Sequence, residues 1–195
     1  MMELVFATNN KNKLREAEAI LPPTILLLNL DDVGVNDDIP ETENTFSGNA
    51  LLKARYVKNK SDFHCFADDS GLEVMALNGA PGVFSARYSG EDANSQNNIE
   101  KLLKELDNET NRGARFVTVI ALTLDNNEYL FEGSIAGVIT MEPKGNSGFG
   151  YDPIFIPEGY TQTFAEMSPL EKNKISHRAI ALKKMSDFLN ERLNP

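Results

Sequence analysis

Leu4-Val5-Phe6-Ala7-Thr8-Asn9-Asn10-Lys11-Asn12-Lys13 begins as an unbroken apolar run and ends in asparagines and lysines. Glu3–Thr8 reads as a short buried strand, because the run is too short for a buried helix and its chain is followed at once by turn-forming residues. Beyond Asn9-Asn10-Lys11, Leu14, Ala17 and Leu21 recur at helical spacing until Pro22-Pro23 stops the helix. Ile25–Leu30 is the next strand candidate.

Working outward, Asp31–Asn44 is polar and acidic and reads as loop. Thr45 to Lys60 is helical, with Phe46, Ala50, Ala54 and Val57 on one face. His64–Ala67 is a short apolar strand leading into Asp68-Asp69-Ser70-Gly71, after which Leu72–Leu77 is extended and Asn78–Gly82 turns. Asp92 starts a helix whose core face carries Ile99, Leu102, Leu103 and Leu106. Arg115–Leu124 and Glu128–Ser134 form a hairpin about Asp125-Asn126-Asn127, Ala136–Thr140 is a further strand, and Ser147–Pro153 is a loop. Ser168-Pro169-Leu170-Glu171 carries the serine, proline and glutamate of a capped helix start; helix then runs to about Arg192, with a break near Ser176. Strands and helices alternate first and a hairpin comes later, which predicts an α/β fold with a mixed central sheet flanked by helices. The 195 residues fit one domain spanning 1–195.

Composition narrows the partners. A formal net charge of −10 lacks the positive footprint of a nucleic-acid binder, but a nucleotide needs only a few local lysines and a metal. Cys65 is the sole cysteine, so no disulfide forms within the chain, in keeping with a reducing compartment. No apolar stretch approaches the roughly 18 residues of a membrane span, and the N-terminus lacks a signal pattern. A cytoplasmic protein is expected, with no membrane partner.

Five segments carry candidate chemistry. Thr8, Asn9, Asn10, Lys11, Asn12 and Lys13 surround a helix N-terminus, where free N–H groups and the dipole favour an anion; a plain asparagine cap with solvated lysines is the competing reading. Asp68 and Asp69 would repel each other at a strand end, and a hard cation such as Mg²⁺ would offset that, while a polar turn capped by Asp69 explains the pair equally well. Asn49 and Lys53, four apart, share a helix face away from the apolar stripe; Lys53 either reaches a phosphate or lies in solvent, and Glu41 in the preceding loop is a possible metal ligand. In Gly148-Phe149-Gly150-Tyr151-Asp152-Pro153 the aromatics either meet a base or belong to the core. Lys172, His177 and Arg178 either offer donors to a base carbonyl or form a basic helical face.

Together these segments resemble the inosine triphosphate pyrophosphatase family, the non-canonical purine NTP (dITP/XTP) pyrophosphatases. The resemblance rests on Ala7–Lys13, Asn49–Arg55, Ala67–Leu72, Ala80–Tyr88, Gly148–Pro153 and Ile175–Arg178, in family order from Leu4 to about Leu189. It implies two lobes with a deep active-site cleft, a homodimer, and Mg²⁺-dependent hydrolysis of ITP, dITP and XTP to monophosphate and pyrophosphate, by attack of water on the α-phosphorus. Carried over by position, Thr8 to Lys13 and Lys53 would serve the phosphates. Asp69 would be general base and metal ligand, with Asp68 and Glu41 supporting the metal, and Ser70 would contact substrate. Phe149 would stack on the base, Gly150, Tyr151 and Asp152 would shape its pocket, and Lys172, His177 and Arg178 would complete recognition. One departure is visible: Ser47-Gly48 stands where family members often carry an acidic residue.

Overall fold

The computed structural model describes residues 1–37 and 39–193. Asp38, within the stretch read as acidic loop, and Asn194 and Pro195, at the end of the domain expected over 1–195, lie outside the described residues. A six-stranded mixed sheet has the order β2-β1-β3-β4-β5-β6, with β1 Met2–Phe6, β2 Ile25–Leu28, β3 Cys65–Val74, β4 Gly113–Leu124, β5 Asn127–Ile139 and β6 Phe155–Pro157. The helices are α1 Lys11–Ile20, α2 Phe46–Ser61, α3 Ser95–Glu105, α4 Pro169–Ile175 and α5 His177–Leu193. β1 pairs in parallel with β2 and β3, and β5 pairs antiparallel with β6. Asp125 and Asn126 both hold positive φ between β4 and β5, the two-residue turn whose twist suits a hairpin.

The chain divides into two compact units: Met1–Asp69 with Thr118–Gly133 and Arg178–Pro195, and Ser70–Val117 with Ser134–His177. In the first, strand alternation sorts side chains onto two faces. Leu4, Phe6 and Phe66 join Ala17 of α1 and Leu182 of α5 in one core, with the Phe6 and Phe66 rings stacked at 4.3 Å. Val5, Ala7, Cys65 and Ala67 join Ala50, Ala54 and Val57 of α2 in the other. The second unit has its own core, in which Leu72, Ile99, Leu102, Phe116, Tyr151, Phe155 and Phe164 meet.

Four expectations change. β3 runs unbroken through Asp68-Asp69-Ser70-Gly71, and Met75–Leu77 is a 3-10 turn rather than extended chain. Glu128–Ser134 and Ala136–Thr140 belong to one long strand, β5, because its alternation of exposed and covered positions continues past Gly133. The third helix starts after Asn94, whose side chain accepts from the Asn97 amide, not at Asp92. The capping box at Ser168 and Glu171 forms as read, and Ser176, with extended backbone, separates α4 from α5.

Candidate active site

The register of β1 on β3 decides where the first motif sits. Phe6 pairs with Phe66, and the Ala7 amide donates to the Phe66 carbonyl, so the turn after β1 emerges beside Asp68. Asn10 is the N-cap of α1, its Oδ1 accepting from the amides of Asn12 and Lys13. Those two donors are therefore already engaged, and Asn10 performs the capping role that competed with anion binding. Thr8 stiffens the turn by accepting from the Asn10 amide, while Asn9, Asn10, Lys11 and Asn12 are exposed.

Adjacent strand residues point to opposite faces, and this separates the two carboxylates. Asp68 lies with the α1 and α5 side. Its Oδ1 accepts from Lys13 Nζ at 3.0 Å and its Oδ2 from Arg178 Nε at 3.1 Å, and Arg178 also donates to Glu16 of α1. Burial alone would raise the Asp68 carboxyl, but Lys13, Arg178 and Lys53 outweigh it and hold it well below the usual carboxylate range. The same burial lowers Lys13, with Lys53 and Arg178 adding to the fall against the pull of Asp68.

Asp69 lies with α2. Its Oδ2 accepts from Asn49 Nδ2 at 2.9 Å, and Asn49 Oδ1 in turn accepts from the Glu43 amide at 2.9 Å, so both ends of the Asn49 amide are fixed. Lys53, one turn further on, is 8% exposed and forms an ion pair with Glu41. It is not the solvated lysine that its position off the apolar stripe allowed. Burial pushes the Asp69 carboxyl up; Lys53 opposes this and Glu41 reinforces it, and the carboxyl stays raised. Gly48 has a steric reason: a Cβ there would meet Glu43 Cβ at 2.7 Å and Thr45 Oγ1 at 2.9 Å, at the spot where the acidic loop folds over the start of α2.

The structure thus gathers Lys13, Lys53, Asp68, Asp69, Glu41 and Arg178 in the first unit, and adds Asn49 and Glu16. Asn49 was visible only as a partner in spacing to Lys53. Glu16, which follows Arg15 in α1, gave no signal of its own. Among the described residues no group of three His, Cys, Asp or Glu is placed to hold a metal ion; Glu41 pairs with Lys53, and Asp68 with Lys13 and Arg178.

The second unit organises the remaining candidates. Asp152 Oδ2 accepts from the Phe149 amide at 2.8 Å and from Lys172 Nζ at 2.7 Å, with both ion-pair partners buried. Lys172 Nζ also lies 4.7 Å from the Phe149 ring centroid, a cation–π contact. Gly148 takes φ +75°, and a Cβ there would come within 2.1 Å of Asp152 Oδ2, so the loop closes on its carboxylate only through glycine. Asp152 therefore serves as the loop's own brace. Tyr151 is core, its hydroxyl donating to the Ser85 carbonyl at 2.9 Å, and Gly150 supplies a second positive φ. His177 is buried and stacked on Phe116, with centroids 4.6 Å apart. It belongs to the second unit and Arg178 to the first. The side chain of Arg178 pairs with Asp68 and Glu16. Ser70, next to Asp69 in β3, is half-buried.

A family model described as Ham1 family matches residues 4–188. The chain belongs to the Ham1 family. A relative from Flavobacterium psychrophilum, named dITP/XTP pyrophosphatase, is 57% identical over 187 residues, covering 96% of this chain and 98% of its own. Two solved Ham1 proteins superpose over nearly their full length. The one from Coxiella burnetii has a TM-score of 0.91 and 42% identity, covering 98% of this chain and 100% of its own; the one from Staphylococcus aureus has 0.89 and 40%, covering 97% and 99%. The solved Ham1 proteins share the α/β fold with its mixed sheet. No helix among the described residues is long and apolar enough to cross a membrane.

Proposed function

We propose that this Ham1 protein hydrolyses non-canonical purine nucleoside triphosphates, ITP, dITP and XTP, to the monophosphate and pyrophosphate, removing them from the nucleotide pool. The observation that carries the reading is Asp69: a buried carboxyl raised in proton affinity, oriented by Asn49 and set near Glu41 and Lys53. A general base works best when its proton affinity lies nearer the working pH than that of an ordinary carboxylate.

Mg²⁺ suits Asp69 and Glu41, since it takes one or two carboxylates together with substrate phosphates. Asp68 suits it less, because both of its oxygens already accept from cations. When bound, the metal would shield the phosphates and lower the pKa of a coordinated water. On the protein's side, Asp69 takes the proton of the water that attacks the α-phosphorus, and Asn49 keeps the accepting oxygen aimed. Lys13 and Lys53 oppose the triphosphate charge, with Thr8 to Asn12 and Ser70 shaping that end of the substrate. Phe149 offers a ring face to the base, held by Gly150, Tyr151 and Asp152. His177 and Arg178 supply donors for the 6-oxygen of hypoxanthine or xanthine, and Lys172 completes recognition. Adenine presents an amino group there, so donor would face donor, and such mismatches discriminate by roughly 10⁴-fold.

The family match over 4–188 supports a single catalytic domain over the chain. The lone cysteine and the acidic balance support a cytoplasmic enzyme without nucleic-acid or membrane partners. A homodimer follows from the resemblance and is checked by sedimentation equilibrium.

The deciding experiment is pyrophosphate release with Mg²⁺ from ITP, dITP, XTP, ATP and GTP, with Asp69→Asn in parallel. Release from the first three alone, lost in the variant, is the expected result. Equal release from ATP would overturn the account of base selection, and undiminished release by Asp69→Asn would overturn the base.

A further inference from the structure

The segment Ala80–Tyr88 is the one motif that the reaction above leaves without a role. Its centre, Ser85, is a buried junction. Ser85 Oγ accepts from the Leu72 amide at 2.9 Å and donates to the Gly82 carbonyl at 2.6 Å. The Ser85 carbonyl accepts from Tyr151 Oη at 2.9 Å and from Asn98 Nδ2 at 3.3 Å. Asn98 reaches out from α3 and secures the C-terminal end of the segment: Nδ2 donates to the Ala86 carbonyl at 2.9 Å, and Oδ1 accepts from the amide and hydroxyl of Ser89, both at 2.7 Å. One residue therefore holds two elements. Through Leu72 it fixes the part of β3 that carries Ser70, and through Tyr151 it fixes the loop that carries Phe149.

We propose that Ser85 is a positioning residue for the substrate, and that the Tyr151–Ser85 hydrogen bond sets the base platform. The inference rests on the reading of Phe149 as the base contact. Its logic is geometric. The loop around Phe149 contains glycines at 148 and 150, both with positive φ, so its backbone needs external anchors. Asp152 supplies one, to Lys172. Tyr151 supplies the other, and its ring is buried in the core, so its hydroxyl reaches a fixed point rather than a mobile side chain. A stacking platform loses its benefit when the ring is displaced, because orientation is lost with it.

Tyr151→Phe keeps the ring in place and removes only the hydroxyl, while Asn98 still donates to the Ser85 carbonyl. The expected result is a KM for XTP and dITP raised about 5- to 10-fold with kcat within about 2-fold, the scale of one lost hydrogen bond in binding. Inhibition by tripolyphosphate, which has no base, stays unchanged. Ser85→Ala removes the acceptor of the Leu72 amide as well as the tie to Gly82, and is expected to weaken both nucleotide and tripolyphosphate. Hydrogen exchange of the amides of 147–152 is measured on both variants without substrate, and is expected to quicken. An unchanged KM in Tyr151→Phe, or a parallel loss of tripolyphosphate binding in that variant, overturns the proposal. Faster exchange in a protein whose wild type releases no pyrophosphate from these nucleotides would keep the anchor and sink the functional reading beneath it; unchanged exchange sinks the anchor whatever the activity.

Discussion

Arg178 Nε lies 3.1 Å from Asp68 Oδ2, joining two residues 110 positions apart. With Lys13 on the other oxygen and Glu16 on the far side of the guanidinium, two acids and two bases alternate in a buried array that is neutral overall. The array explains why a carboxylate can sit within a buried strand at all: burying a charge is costly unless it is paired and hydrogen-bonded. It also predicts that Asp68 and its neighbour Asp69 behave oppositely on substitution. Asp68→Asn leaves Lys13 and Arg178 facing a neutral group and is expected to cost about 3–5 kcal/mol of stability. Asp69→Asn removes a buried charge that is disfavoured where it stands, so its unfolding midpoint is expected to stay level or rise while activity is lost. Urea titrations of both variants, without metal, check the contrast.

The same array sets an acid limit. The Asp68 carboxyl is held below its unfolded value of about 4, so its contribution to stability is complete above that pH and fades as pH falls through the folded value. Wild type is expected to lose urea resistance steadily below about pH 4, and Asp68→Asn to lose less over that interval. Parallel curves for the two proteins would show that Asp68 is not the linked group.

Asn49 orients Asp69, its Nδ2 donating to Asp69 Oδ2 at 2.9 Å. Asn49→Ala is expected to lower kcat by about 10²-fold, the scale of a misplaced reacting group, with little change in KM. Asn49→Asp would place a carboxylate against Asp69 and is expected to reduce activity further. Steady-state kinetics on XTP separate the two effects; a rise in KM alone would move Asn49 from the base to binding.

Cys65 is fully buried in β3 and its thiol is pushed up to about 12 by burial. Since the thiolate is the reactive form, disulfide reagents at pH 8 are expected to label the native protein only as fast as it opens. Labelling in denaturant should be immediate. Rapid native labelling would mean that the β3 core opens readily.

Much of the frame was legible because its signals are local. The strand before Asn10, the Asn10 cap, the Pro22-Pro23 stop, the Asp125-Asn126 turn and the Ser168 capping box each depend on residues within one turn of each other. What could not be read depends on distant partners. Asp68-Asp69 looks like a turn because nothing nearby in sequence compensates two acids; the compensation comes from Lys13, Arg178 and Asn49. Glu16 and Ser85 were silent for the same reason. The partners of Arg178, Asp68 and Glu16, lie 110 and 162 positions away, so its neighbours in sequence did not reveal them.

Lys172 and Asp152 form a second buried pair, 2.7 Å apart and each almost wholly covered. Truncating either partner alone leaves the other charge buried and uncompensated, so Lys172→Met and Asp152→Asn are each expected to destabilise by about 3–5 kcal/mol. The double variant Lys172→Met, Asp152→Asn should recover a large part of that loss, because no lone charge remains, and a double-mutant cycle reads the recovery directly. Activity should not recover with it. Asp152 braces the Phe149 amide and Lys172 stands over the Phe149 ring, so the double variant keeps a folded protein with a loosened platform. Recovery of stability together with full XTP turnover would show that the pair serves the fold alone; additive losses of stability would show that the two charges do not compensate one another.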